Sequence, residues 1–217
     1  MTLGNVPFEM NSKKVILVSL EGNIGSGKST LLRQLKEAEP SWIFVDEPVD
    51  SWMSIRNSDG ENLLEAFYKD KKRWSYTFQN AAVLTRGMMI KDAIEKVELS
   101  DKPTVIVMER CIETDRKVFA TMLEEDGFLN GIEWELYNRW YSFLSGMVPP
   151  MDAYIWVDTP AKICADRIVK RNRHGEEGIP LSYLEELDKA HSIWLSDERN
   201  VFPSTELDKI REFIHSL

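Results

Sequence analysis

The sequence predicts an α/β protein built on an open, mostly parallel sheet of about five strands flanked by helices. Three observations carry that expectation. Short β-branched runs alternate along the chain with stretches of helical periodicity. The runs are apolar without alternation, as strands covered on both faces are. The first run opens directly into Gly22-Asn23-Ile24-Gly25-Ser26-Gly27-Lys28-Ser29 and then the helical Thr30-Leu31-Leu32-Arg33, the strand–loop–helix context of a phosphate-binding P-loop.

In chain order, residues 14–20 read as the first strand, and the P-loop follows it. Residues 43–46 read as the second, leaving into Asp46-Glu47-Pro48-Val49. A long helical region spans 61–98, with Trp74, Phe78, Ala82 and Arg86 at three- and four-residue spacing. Gln79 and Arg86 are the polar exceptions on that face. Residues 104–108 form the third strand and leave into Glu109-Arg110-Cys111. Residues 154–157 form the fourth and leave into Asp158-Thr159-Pro160, where Thr159 is expected to cap a helix and Pro160 to be its first residue. That helix ends in Arg167, Arg171 and Arg173. Towards the C-terminus only Val201-Phe202 is strand-like, before a short terminal helix. Ligands of such sheets sit beyond the C-terminal ends of the strands, so the carboxylates at the second and third exits are candidates for chemistry, with Asp158 and Thr159 read as structural.

In the P-loop, glycines let the backbone turn its N–H groups towards a polyphosphate, and the helix that follows presents its positive end to the same charge. Lys28 is expected at the β- and γ-phosphates, with Thr30 in the first helical turn beside them. The Ser29 hydroxyl is expected to ligate Mg²⁺ accompanying ATP. Arg167 and Arg171, four residues apart on one helix face, and Arg173 just beyond suggest an arginine-rich lid over phosphates.

With 217 residues and 43% hydrophobic content, the chain suits one domain, 1–217, with residues 1–13 as an N-terminal extension. The net charge of −9 disfavours nucleic acid or an anionic membrane as partner. Cys111 and Cys164 supply neither a disulfide framework nor metal-ligand spacing, which fits a reducing compartment, and both are expected as buried small hydrophobes. The N-terminus has no apolar signal region and no run is long enough for a membrane span, so a cytoplasmic location is expected.

From about residue 14 to residue 195 the chain resembles the deoxyribonucleoside kinases. The resemblance rests on Glu21 with the P-loop, Glu47-Pro48-Val49, Trp74-Ser75-Tyr76-Thr77-Phe78-Gln79, Glu109-Arg110-Cys111 with Asp115-Arg116, and the arginine-rich segment leading to Gly178-Ile179-Pro180-Leu181. Within the family it is most similar to the deoxycytidine and deoxyguanosine kinase type. The resemblance implies transfer of the γ-phosphate of ATP, or of another nucleoside triphosphate, to the 5′-hydroxyl of a deoxynucleoside, deoxycytidine or a purine deoxynucleoside. Glu47 is then the general base, Glu109 a Mg²⁺-associated carboxylate, and Arg110 a contact of the reacting oxygen. Tyr68 and Glu176 would bind the 3′-hydroxyl, with Glu177 an alternative to Glu176, and loss of that hydroxyl would leave the carboxylate unpaired. Gln79 would pair bidentately with the base edge, and Trp74 and Phe78 would help form its apolar surroundings. Ala82, Arg86 and Asp115 would close the far end of the pocket and disfavour thymine. Cys111 departs from the serine common in the family. A homodimer through helices including 74–98 is implied as well. The competing readings are a nucleoside monophosphate kinase similar to thymidylate kinase and, more remotely, a P-loop regulatory switch, for which no Asn-Lys-x-Asp motif is present.

Overall fold

A computed structural model describes residues 14–98, 102–173, 176 and 178–217. The expected N-terminal extension, 1–13, lies outside the described residues, as do His174, Gly175 and Glu177 of the arginine-rich segment.

Five strands form one parallel sheet: β1 (Val15–Glu21), β2 (Ile43–Val45), β3 (Thr104–Glu109), β4 (Ala153–Trp156) and β5 (Val201–Pro203), in the order β2-β3-β1-β4-β5. The P-loop strand is therefore central, paired along its length with β3 (Val15↔Thr104 to Leu20↔Glu109) and at its end with β4 (Val18↔Ala153 to Glu21↔Trp156). That register puts the exits of β1, β3 and β4 side by side. The weak Val201-Phe202 signal is a true edge strand, pairing Tyr154↔Val201 and Ile155↔Phe202.

The helices are α1 (Lys28–Ala38), α2 (Val49–Ser54), α3 (Leu63–Lys69), α4 (Lys71–Glu95), α5 (Ile112–Thr114), a π-helical stretch (Asp115–Ala120), α6 (Thr121–Glu125), α7 (Gly131–Ser145), α8 (Ala161–Arg171), α9 (Leu181–Ser196) and α10 (Leu207–His215). Side chains of β1 alternate between two cores. Leu17 joins Ile106 and Met108 under α4 and α9, whereas Val18 and Leu20 join Val105 and Val107 under α1 and α10. Cys111 and Cys164 are free and buried, as small hydrophobes are.

Two local expectations are corrected. The helical region 61–98 is two helices, because Asn62 caps α3 in a reciprocal box with Glu65 and Asp70 caps α4 through Arg73 N at 3.1 Å. The second concerns Thr159 and Pro160. Pro160 stands extended (ψ 138°) before α8, which begins at Ala161, and the Thr159 hydroxyl donates instead to the Ser26 carbonyl at 3.0 Å.

Candidate active site

The P-loop is held by close backbone approaches. Gly22 (φ 136°) and Gly25 (φ 78°) pass the Val157 and Cys164 carbonyls so tightly that a Cβ would lie 2.6 and 2.7 Å from those oxygens. The Asn23 amide donates to Leu184 O at 2.7 Å, tying the loop to α9, while its oxygen accepts from Ile24 N. Arg167 donates to Ser26 O at 2.6 Å from the opposite side. Lys28 is buried, with its Nζ 2.7 Å from Asn23 O and 3.0 Å from Gly22 O. Burial, and then Arg110, bring its ammonium down to about 8, against the pull of Glu109 and Glu47.

Beyond Lys28 lies a charged cluster drawn from three elements. Glu47 leaves β2, Arg110 leaves β3, and Arg86 comes from α4. The Arg110 guanidinium donates to the Glu47 carboxylate, and Arg86 lies 3.6 Å from the same oxygen. Burial alone would raise the Glu47 carboxyl; Arg110, Arg86 and Lys28 overcome it and hold Glu47 well below the usual carboxylate range. Arg86 is itself bound by Asp115 through Nε (2.9 Å) and Nη2 (3.3 Å) and donates to Glu109 O at 2.8 Å. Such a buried guanidinium is tolerable only because each face meets an acceptor. Ser29 Oγ donates to Glu109 Oε1 at 3.1 Å, bringing the two expected metal-associated oxygens together.

About two turns earlier on α4, Gln79 is buried, and its Oε1 has no hydrogen-bond partner among the described residues. Phe78 beside it stacks on Phe67 (centroids 4.5 Å apart) and meets Trp52 edge-on at 5.2 Å, with Ala82 one turn further along. A cavity of about 800 Å³ joins these groups to the P-loop, Tyr68, Asp115, Arg167, Arg171, Arg173 and Glu176. The donor and acceptor halves expected from the sequence thus open into one space.

Three placements differ from expectation. Trp74 does not line the cavity. It sits in the first turn of α4 under the Arg73 guanidinium, 4.4 Å from its ring centre, and Trp52 supplies the aromatic wall instead. Trp52 had a readable signal, since it follows Val49 by three residues and shares its helical face. Glu176 is not an unpaired carboxylate: Arg171 donates to one oxygen and Arg173 to the other at 3.1 Å. Two of the expected phosphate-binding arginines are therefore paired with Glu176, while Arg167 is on the P-loop. Phe119, 5.0 Å from the Arg110 guanidinium carbon, and Tyr183 also line the cavity without having been singled out.

With this geometry in place, the deoxynucleoside kinase family model matches residues 18–216. Similar proteins include deoxycytidine kinase 2 of Gallus gallus, 37% identical over 202 residues, which cover 86% of this chain and 76% of that protein. Deoxycytidine kinase of Mus musculus is 35% identical over 194 residues, covering 82% and 74%. The mitochondrial deoxyguanosine kinase of Xenopus laevis is 36% identical over 203 residues, covering 87% and 75%.

Proposed function

Because the chain belongs to the deoxynucleoside kinase family, we propose that it phosphorylates the 5′-hydroxyl of a deoxynucleoside whose base bears an exocyclic amine, deoxycytidine foremost, with Glu47 as the base. The observation that carries this reading is the pair of acceptors at the far end of the cavity. Gln79 Oε1 meets no donor among the described residues, and the Asp115 carboxylate, paired with Arg86, lines the same cavity. An amino group satisfies such acceptors, whereas the thymine O4 would oppose the Asp115 charge.

Glu47 accepts the 5′-hydroxyl proton late, as the bond to phosphorus develops, since a carboxylate this acidic cannot deprotonate a free alcohol beforehand. Arg110 keeps Glu47 ionised and aims it, while its Nη2 donates to Gly22 O at 3.2 Å and ties the pair to the P-loop. Lys28 and the loop N–H groups cradle the ATP phosphates, with Arg167 above them. Ser29 and Glu109 offer a hydroxyl and a carboxylate, hard oxygen donors that fit Mg²⁺; when bound, the ion offsets charge on the transferred phosphoryl group. Tyr68 and Glu176 take the sugar 3′-hydroxyl, with Glu176 preset by Arg171 and Arg173. A nucleoside monophosphate acceptor is not favoured, because its phosphate would approach Glu47 charge to charge.

The chain is further read as a single kinase domain, 1–217, that works as a homodimer. Leu84 and Met88 on α4 and Leu136, Trp140 and Phe143 on α7 are exposed at helical spacing, and α4 and α7 pack together, which supports one continuous interface. No described helix is long and apolar enough to cross a membrane. The reading is tested by ADP release with ATP, Mg²⁺ and each deoxynucleoside in turn. It expects deoxycytidine to give the highest kcat/KM and thymidine the lowest; thymidine as the best substrate would overturn the base assignment.

A further inference from the structure

Arg110 adopts a left-handed backbone conformation, φ 64°, which costs a non-glycine residue on the order of 1–2 kcal/mol. Something must hold it there, and the contacts around it are specific. Arg110 N donates to Leu20 O at 3.1 Å, so the residue is tied to the last turn of β1 on one side. On the other side Cys111 N donates to Thr114 Oγ1 at 3.1 Å, and that hydroxyl donates to Glu21 Oε1 at 2.7 Å. The same Glu21 oxygen accepts from Ser19 Oγ at 2.5 Å and from Cys111 Sγ at 3.4 Å. Glu21 is fully buried, directly before the P-loop. Three donors converge on one of its oxygens, while Oε2 meets no partner among the described residues.

We propose that Glu21 is a positioning residue: through Thr114 and Cys111 it clamps the left-handed turn at Arg110 and thereby aims the Arg110 guanidinium at Glu47. No direct contact of Glu21 with either substrate is involved. The convergence on a single oxygen says which property matters, namely an acceptor at Oε1 rather than a charge on the whole group. Burial pushes the Glu21 carboxyl up, against the hydrogen bonds from Ser19, Thr114 and Cys111 and the charge of Arg110. The position of Cys111 gains a meaning too. Its thiol is a weak donor to Glu21, so most of the clamp passes through the Thr114 hydroxyl.

This inference rests on Arg110 acting at the reacting centre, and a double-mutant cycle separates the two claims. Glu21→Ala and Thr114→Val should each lower kcat, by about 10²-fold for Glu21→Ala, as expected when a catalytic group is misplaced by about 1 Å. KM for ATP should stay near the parent value. Glu21→Gln keeps an acceptor at Oε1 and should restore most of the lost kcat. In an Arg110→Ala background, Glu21→Ala should cost little more, because its effect passes through Arg110. Should Glu21→Ala fail to fold, Thr114→Val, which changes only a hydroxyl, reads the same cycle. Additive losses, or a Glu21→Gln variant as poor as Glu21→Ala, would overturn the positioning role. An Arg110→Ala enzyme with unchanged kcat would instead overturn the reading of the site itself.

Discussion

The Arg110 guanidinium is hydrogen-bonded to the Glu47 carboxylate, so the base of the proposed reaction is held by a cation that leaves the neighbouring strand. This pairing explains how a desolvated carboxylate in the cavity stays ionised. It also predicts that replacing Glu47 by Gln, which keeps the shape and removes the proton acceptor, lowers kcat by about 10²–10⁴-fold. Deoxynucleoside affinity, measured by calorimetry, should survive. Near-full turnover would remove Glu47 from the chemistry.

Arg86 and Asp115 form a buried pair, each side chain 3% exposed. Removing Asp115 alone strands a buried guanidinium and should cost about 3 kcal/mol of stability, the low end for a broken buried pair because Glu47 stays 3.6 Å away. Removing both, as Arg86→Met with Asp115→Ala, should recover most of that loss and shift kcat/KM towards thymidine. Urea unfolding and a substrate panel check the two halves; an unchanged base profile would refute the specificity assignment.

Gly25 and Gly127 have nearly the same φ, 78° and 75°, but different surroundings. A Cβ on Gly127 meets nothing within 4 Å, so Gly127→Ala should cost only about 1–2 kcal/mol of strain and leave activity alone. On Gly25 it meets the Cys164 carbonyl at 2.7 Å. Gly25→Ala must displace the P-loop from α8, raising KM for ATP as well as lowering stability. Equal KM values for the two variants would contradict the close approach.

The C-terminal helix α10 is anchored to the end of α1 by Glu39, which accepts from Arg211 Nε at 2.7 Å and lies 3.0 Å from His215 Nε2. The bond to His215 is the main reason its carboxyl is lowered. A lowered folded value means that the stabilisation is complete above the ordinary carboxylate range and disappears as pH falls through the lowered value. The urea midpoint of the parent protein should therefore exceed that of Glu39→Gln at about pH 5 and converge on it by about pH 2. A constant gap would show that the charge of Glu39 contributes nothing.

Trp140 and Phe143 on α7 and Leu84 and Met88 on α4 are exposed on two helices that pack together, and a stable interface buries on the order of 1,200–2,000 Å². Trp140→Glu combined with Leu84→Glu should halve the mass seen by light scattering. A parent protein that is already monomeric would contradict the dimer.

Much of the site was legible because its chemistry sits at strand exits, which periodicity locates well. Glu47, Arg110 and the P-loop needed only the ends of three strands to be found. The short edge strand β5 was weaker in sequence, since its three residues gain their identity from pairing with β4 rather than from their own pattern. Trp74 and Trp52 show the opposite limit. Both are aromatic residues on helices, and although Trp52 shares a face with Val49, the packing of α2 against α4 is what brings it and not Trp74 to the cavity. The pairing of Glu176 with Arg171 and Arg173 was likewise hidden, because like-spaced arginines do not announce which anion they meet. Glu21 was visible as part of a motif, and Ser19 shares its face of β1, yet its partner Thr114 is brought to it by the β1–β3 register.

The central claim is phosphoryl transfer to a free 5′-hydroxyl placed at Glu47. Incubation with ATP, Mg²⁺ and either deoxycytidine or a pyrimidine deoxynucleoside monophosphate, followed by mass analysis of the product, tests it most directly. The structure predicts conversion of deoxycytidine to its 5′-monophosphate and no diphosphate from the monophosphates. Turnover of a monophosphate with none of deoxycytidine or any other deoxynucleoside would contradict it.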